Sequence, residues 1–403
     1  MLVLFFLALA IRLILISHFS EKPVNDLLWN DAVGWNLAQG NGFTASYAEP
    51  RVPGIYRSPG YPAFLALIYS VFGHSYTPVF VAQSILDALS AILIGRIVLL
   101  YFNPLMAFLT SLLYALYPYP GMFCGRLHQD ILLIFCFLLS LLFISSALKK
   151  NSIQQWILAG LMMGFTALVK PNFLIFAALP IAAIVIQLRD RRLISIAMFL
   201  CAMTLTLIPW FWRNYATFHR FPPLSAGATG SNLQLLLLEL NGGEEAVRNV
   251  GLAQPRTSID HFQDGSELID SQKKEADQAI HELMRRWPEY FTIIVKHIPR
   301  LWISTYSRWY GGRIALMGTI LSWIVLVLGL VGMFLLRRDW RRLFPLYFTV
   351  LLITLLYAPY TVEARYTLPA RPVMLCFVAA SLVWIARLRN NSVNVPSPSE
   401  GAG

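Results

Sequence analysis

Acidic side chains are scarce in this chain, and four of them stand close to the ends of long apolar runs: Asp26, Asp31, Asp130 and Glu363. Basic side chains occupy comparable places: Lys170 just before Pro171, Arg213 after Trp210-Phe211-Trp212, and Arg365 two residues beyond Glu363. A carboxylate held at such a boundary can take the proton of a hydroxyl as its oxygen attacks. Cations beside it can stabilise an anionic leaving group, and a guanidinium matches phosphate oxygens bidentately. One carboxylate with several cations is therefore a sufficient minimal kit for an alcohol displacing a phosphate.

The elements that must position these residues are membrane spans. Of the 403 residues, 57% are hydrophobic and only 13% charged, a composition of polytopic helical membrane proteins. Apolar runs predict about ten spans, near 1–19, 76–100, 104–119, 128–148, 154–170, 172–188, 193–213, 314–336, 343–361 and 369–388. The net charge of +11 sits largely in short gaps between them: Lys149-Lys150, Arg189-Asp190-Arg191-Arg192, Arg337 to Arg342, and Arg387-Leu388-Arg389. Basic loops resist translocation, so these gaps and both termini are expected in the cytoplasm, and the acidic candidates on the outer face. Orientation and lipid headgroups account for the charge without nucleic acid. The first span lacks a basic leader and a small-residue cleavage site, and reads as an anchor.

Two outer segments, 20–75 and 214–313, interrupt a membrane domain read as 1–389. The second is expected to begin as loop and turn helical around Ser266–Arg286, and the Ser/Pro/Gly-rich tail 390–403 to be a disordered cytoplasmic extension. Cys124, Cys136, Cys201 and Cys376 show no metal or disulfide spacing. No phosphate-cradling Gly loop or nucleotide motif is present, so no nucleotide-linked substrate or cofactor is expected.

In the first outer segment, Asp26 to Phe43 reads as a short helix lying at the interface, capped by Asn25 and ended by Gly40 and Gly42. The order Asp26…Asn36-Leu37-Ala38-Gln39-Gly40-Asn41-Gly42-Phe43, followed by Tyr56-Arg57-Ser58-Pro59-Gly60-Tyr61-Pro62, resembles the first outer loop of GT-C glycosyltransferases. The protein mannosyltransferase and aminoarabinose transferase families come nearest. Further on, Pro209-Trp210-Phe211-Trp212-Arg213-Asn214 and Glu363-Ala364-Arg365-Tyr366-Thr367-Leu368-Pro369 are similar to two more of their signatures. Asn30 and Gly34 depart from the usual Tyr and Ala, which loosens the helix and leaves the acid in place.

The resemblance implies an all-α, GT-C-like bundle with juxtamembrane helices in its outer loops. It implies transfer of a sugar from a polyprenyl-phosphate carrier to a protein, lipid or glycan acceptor, at a cell membrane facing the periplasm or exterior. Asp26 takes the general-base position, ahead of Asp31. Asp130 orients the acceptor or supports Asp26, with His128 a secondary candidate, and Arg57, Tyr61, Lys170, Arg213, Glu363, Arg365 and Tyr366 are substrate-binding candidates. No cofactor is expected; a divalent metal stays open. The lack of an evident nucleophile pair agrees with an inverting reaction, since a retaining one needs a second carboxylate about 5–5.5 Å away. Two other classes remain: a lipid or glycolipid transporter, which Asp87 inside the second span favours, and a non-catalytic GT-C-like assembly protein.

Overall fold

The computed structural model describes residues 1–24, 26–46, 51–188, 190–221, 224–226, 229–253, 265–304, 312–363 and 365–393, and all its described elements are helical. In chain order they are α1 (Leu2–Phe19), α2 (Asp26–Ala38), α3 (Gly60–Phe72), α4 (Tyr76–Tyr101), α5 (Pro104–Leu116), α6 (Pro118–Gly121), α7 (Asp130–Lys150) and α8 (Ile153–Val169). The second half holds α9 (Ala178–Gln187), α10 (Arg192–Phe218), α11 (Thr229–Ala253), α12 (Gly265–Arg285), α13 (Trp287–Ile303), α14 (Gly312–Leu335), α15 (Phe344–Tyr357) and α16 (Arg371–Val393). Short 3-10 turns at Pro171–Ala177 and Leu368–Ala370 lead into α9 and α16.

Among the described residues six helices are long and apolar enough to cross a membrane: α1, α4, α7, α10, α14, and the stretch Leu368–Leu388. The other four expected spans coincide with α5, α8, the Pro171–Gln187 pair and α15, which are 17 residues or fewer. Prolines shorten them: Pro118 and Pro171 restart the chain in new turns, because the residue before a proline is pushed out of the α region. The all-α bundle read from the sequence is thus the observed fold.

Two expectations are corrected. The stretch after Arg213 is not loop: α10 runs on to Phe218, and the Leu-rich residues 229–253 form a helix kinked at Gly243, whose φ is 71°. At the other end, α16 continues through Val393, past the expected start of the tail; 394–403 lie outside the described residues.

Close helix contact in the bundle depends on small residues. Gly160 and Gly164, one turn apart on α8, face the backbone of α10; a Cβ on Gly160 would stand 2.2 Å from the Phe199 carbonyl oxygen. Gly329 and Gly332 of α14 pack in the same way on Met374 and Phe377 of α16. The buried acid of the second span is neutralised: Arg12 Nε lies 2.6 Å from Asp87 Oδ2, and Tyr114 donates to Oδ1 at 2.5 Å. Arg12 also donates to the carbonyls of Tyr114, Ala115 and Tyr117 where α5 ends. Asp87 is therefore a fully partnered tie between α1, α4 and α5, and the feature that favoured a transporter is accounted for as structure.

The bundle has two chemically different ends. At one, Lys149 donates to the Leu100 carbonyl, Gln187 to that of Arg341, and Arg342 to that of Tyr101, gathering the basic gaps. Asp130 opens α7 and Lys150 closes it, so about 30 Å at 1.5 Å per residue separates that end from the acidic candidate.

Candidate active site

Three chain breaks bring distant residues to the end of the bundle that holds Asp130. Pro171 ends α8 and leaves Lys170 extended (φ −144°, ψ 107°), so its side chain turns in rather than along the helix. The turn 123–129 enters α7, placing His128 two residues ahead of Asp130. The chain between α15 and α16 supplies Glu363, Arg365 and Tyr366. The first outer segment is pressed against the same place: Ser58 donates to the Val169 carbonyl at 3.1 Å, and a Cβ on Gly60 would lie 2.7 Å from the Val169 nitrogen. Only glycine permits that approach.

Asp130 is fully buried, with His128 Nδ1 2.7 Å from Oδ2 and Lys170 Nζ 3.7 Å from Oδ1. His128 Nε2 meets Arg365 Nη1, and Arg365 Nε lies 2.7 Å from Glu363 Oε2. Burial lowers the His128 pKa, against the pull of Asp130 and with help from Arg365. The imidazole is then neutral near pH 7, its Nδ1–H facing Asp130 and its Nε2 lone pair facing the guanidinium; hydrogen positions here are assigned from that arrangement.

Lys170 Nζ also sits 5.4 Å from the centre of the Tyr357 ring and 5.3 Å from that of Tyr366. The two rings stack at 4.3 Å with an 11° interplanar angle. Burial raises the Tyr366 hydroxyl pKa, so the phenol stays protonated. The field of Arg57 acts on both Lys170 and Tyr366. Four segments thus converge on one centre of Arg57, His128, Asp130, Lys170, Glu363, Arg365 and Tyr366, with three basic side chains against two carboxylates. Among the described residues no three His, Cys, Asp or Glu side chains are grouped to hold a metal ion. Asp130 in particular is faced by a lysine and an imidazole N–H, a setting that disfavours a divalent cation.

Asp26 is the first residue of α2, and its side chain lies outside the described residues, as does Asn25. The helix itself is firmly placed beside the centre. Asn30 donates to the Leu127 carbonyl at 3.4 Å, one residue from His128. Asp31 is buried and accepts from Tyr69 (2.7 Å), His74 (2.8 Å) and Tyr76 (2.9 Å), fastening α2 to α3 and the start of α4. Gly34 lets α2 rest on α3, since a Cβ there would stand 2.6 Å from the Leu65 Cβ. Its departure from the usual alanine is thus a packing feature. Gly40 and Gly42 end the helix with φ of 75° and 83°, as the sequence suggested.

Two sequence candidates lie differently from a substrate contact. Tyr61 is wholly buried and donates to Gln83 Oε1 at 3.0 Å, which makes it a positioning residue. Arg213 donates to the carbonyls of Gly54 (3.0 Å) and Phe43 (3.4 Å) and packs over the Phe43, Trp210 and Phe218 rings. It ties the first outer loop to the end of α10. Gln83 and Tyr357 escaped the sequence reading. Gln83 is a buried hub whose amide donates to the Cys124 and Arg126 carbonyls at 2.8 Å; a polar residue one turn before Asp87 in an apolar span was a usable signal. Tyr357 had none, since an aromatic at a span end reads as an ordinary belt residue.

With this geometry in hand, comparison with known proteins is decisive for the fold. The dolichyl-phosphate-mannose-protein mannosyltransferase family model matches residues 56–212. The archaeal oligosaccharyltransferase AglB from Archaeoglobus fulgidus, in complex with an inhibitory peptide and a dolichol-phosphate, aligns over 100% of this chain with a TM-score of 0.60 and 13% identity. The chain carries the GT-C fold. A second structure of the Archaeoglobus fulgidus oligosaccharyltransferase, tethered to an acceptor peptide, aligns over 99% at 0.60 and 14% identity. The chain spans about half the length of both, covering 52% of each. ArnT from Cupriavidus metallidurans bound to undecaprenyl phosphate aligns over 99% of this chain and 81% of its own, with a TM-score of 0.48 and 13% identity. No functionally curated protein matches the sequence.

Proposed function

We propose that this GT-C chain is an inverting glycosyltransferase that moves a hexosyl or pentosyl unit from a polyprenyl-phosphate carrier to an acceptor hydroxyl. The observation that carries the reading is the convergence of His128, Lys170 and Arg365 around Asp130 at the end of the bundle opposite the basic gaps, with Arg57 near enough for its charge to act on Lys170. A lipid phosphate entering from the bilayer meets cations there in a buried setting, where charge stabilisation is strong. Tyr357 and Tyr366 supply an aromatic wall beside the lysine, and Glu363 orients Arg365. The AglB structure holds a dolichol-phosphate, which supports a polyprenyl carrier for the donor.

Asp26 is the general base in this reading. The acceptor oxygen loses its proton to the carboxylate while the anomeric carbon–oxygen bond to phosphate breaks and the new glycosidic bond forms. The phosphate leaves already charged, so cations suffice and no proton donor is required. Acceptor binding falls to the surface formed by α2 and the outer segments, which suits a protein, lipid or glycan. The basic gaps support a catalytic end on the side away from the cytoplasm, a bacterial inner membrane being the setting we favour.

The test is sugar transfer in proteoliposomes from a panel of radiolabelled polyprenyl-phosphate sugars, for wild type, Asp26→Asn and Lys170→Met at equal protein. Transfer by wild type, its loss in Asp26→Asn with donor binding kept, and weakened donor binding in Lys170→Met are expected. Unchanged transfer in Asp26→Asn removes it as base.

A further inference from the structure

Helices α11 and α13 leave between them an open cleft of ≈ 490 Å³. Its α13 wall is polar by spacing: Glu289, Thr292, Lys296 and Arg300 recur at intervals of three and four residues, which puts them on one helical face. The α11 wall holds Glu239 and Gly243, the residue where that helix kinks. Two ties hold the walls together. Arg286 donates to Asn241 Oδ1 at 2.5 Å, and His297 Nε2 lies 3.0 Å from Glu239 Oε1.

Both carboxylates of the cleft are compensated from outside it. Arg286 pairs with Glu289 through Nε, at 3.2 Å, and through Nη2. His297 is wholly buried, its Nδ1 3.0 Å from the Ala358 carbonyl oxygen and its Nε2 on Glu239. An oxygen at each ring nitrogen leaves no place for a lone pair, so His297 and Glu239 together hold one proton beyond a neutral ring and a carboxylate. Neither Arg286 nor His297 lines the cleft, whereas Lys296 and Arg300 do, and these two set a positive potential in it. Lys296 is exposed and forms no ion pair among the described residues. Glu239 is 8% exposed and meets His297 and Arg300 through Oε1, which leaves Oε2 as an acceptor on the cleft wall.

We propose that this cleft binds a hydroxyl-rich, water-borne anion: a saccharide unit carrying a carboxylate or a phosphate. Lys296 and Arg300 take the anionic group through charge-assisted hydrogen bonds, the guanidinium matching either oxyanion bidentately. Glu239 Oε2 accepts from a ligand hydroxyl, a partner that a simple inorganic anion cannot supply as well. The size agrees, since pockets for small ligands run from about 300 to 1,000 Å³. The Arg300 end of the cleft abuts the catalytic centre. Thr367 donates to the Leu301 carbonyl at 3.3 Å and His297 meets Ala358, and these two contacts flank Tyr366 and Tyr357. A ligand held there rests against the back of the aromatic wall beside Lys170. Binding of this kind stands whichever reaction the centre performs.

The test follows acetylation of Lys296 by mass spectrometry, on the full chain in phosphatidylcholine nanodiscs, with the exposed Lys273 and Lys274 of α12 as references. At least one of glucuronate and glucose 6-phosphate, at millimolar concentration, should slow labelling of Lys296 about threefold or more and leave the references unchanged. Glucose and inorganic phosphate, each offering one half of the recognised chemistry, should protect less. No protection by either acidic sugar overturns the proposal, and so does equal slowing at the references, which is ionic screening. Equal protection by inorganic phosphate refutes the saccharide class. Protection in discs containing phosphatidylglycerol, with no sugar added, refutes a water-borne ligand and gives the cations to a lipid headgroup. R300Q keeps Lys296 as reporter and should raise the half-protecting concentration about tenfold, the worth of one hydrogen bond to a charged group; an unchanged value removes Arg300 from the site and the reading with it.

Discussion

The Asp130–Lys170 pair lets stability and chemistry be separated. The substitution D130N keeps an oxygen that can accept from His128 Nδ1 and removes only the negative charge. What is lost is the attraction to Lys170 at 3.7 Å, worth about 4 kcal/mol at an effective dielectric near 20. Because Asp130 is fully buried, solvent screens little of it, and breaking such a pair from one side typically costs about 3–5 kcal/mol. D130N should melt well below wild type in a detergent thermal-shift assay followed by size exclusion. The double variant D130N/K170M removes the stranded cation and should recover at least half of that loss, yet bind the lipid-linked donor no better than D130N. A double variant no more stable than D130N would show that the two charges are not coupled, and the electrostatic reasoning about the centre would fail with it.

Three further outcomes follow. D87A strands the Arg12 guanidinium inside the bundle and should cost about 3–5 kcal/mol, whereas R12L/D87A should be milder; thermal unfolding of the three proteins checks the order. G160L puts a side chain where a Cβ already lies 2.2 Å from the Phe199 oxygen, so α8 and α10 must separate and folded yield should fall, while A159L on the same helix serves as control for helix volume. His128 gives the pH dependence: its pKa is lowered from the ordinary 6.5, so the fold favours the neutral ring. That contribution is complete above pH 6.5 and is lost as pH falls toward the lowered value. Protonation removes the lone pair facing Arg365, so donor binding by wild type should weaken on the acid side, and H128N should flatten that limb; an unchanged limb in H128N would assign it to another group.

How far the sequence reached can be argued residue by residue. The spans were legible because hydrophobic length is a direct physical requirement of the bilayer, and Gly40 and Gly42 because positive φ is chiefly a glycine property. Lys170 was legible for a local reason as well: Pro171 forces the preceding residue out of the helix, so a cation there must point somewhere else. Helix α11 lay in a stretch expected to be loop, yet its long leucine run stays helical by packing on α12. Tyr61 and Arg213, read as substrate contacts, bond to neighbouring segments of the protein, and that is where motif reading has limits. A motif reports that a residue type is required, but whether it touches substrate or holds the loop that does depends on contacts between segments far apart in the chain.

Those long-range contacts also explain why the centre is assembled as it is. Arg57, His128, Lys170 and Arg365 come from four connections between helices, and no two of them share a helix, so any one cation can be moved only by shifting a whole connection. Like charges this close repel, and a flexible loop carrying them all would open to relieve the strain. Fixing each at a helix end, with Asp130 at the middle and Glu363 on the outer guanidinium, holds positive potential in place before any ligand arrives. Preorganisation of that kind lets an anionic group be stabilised without moving the protein.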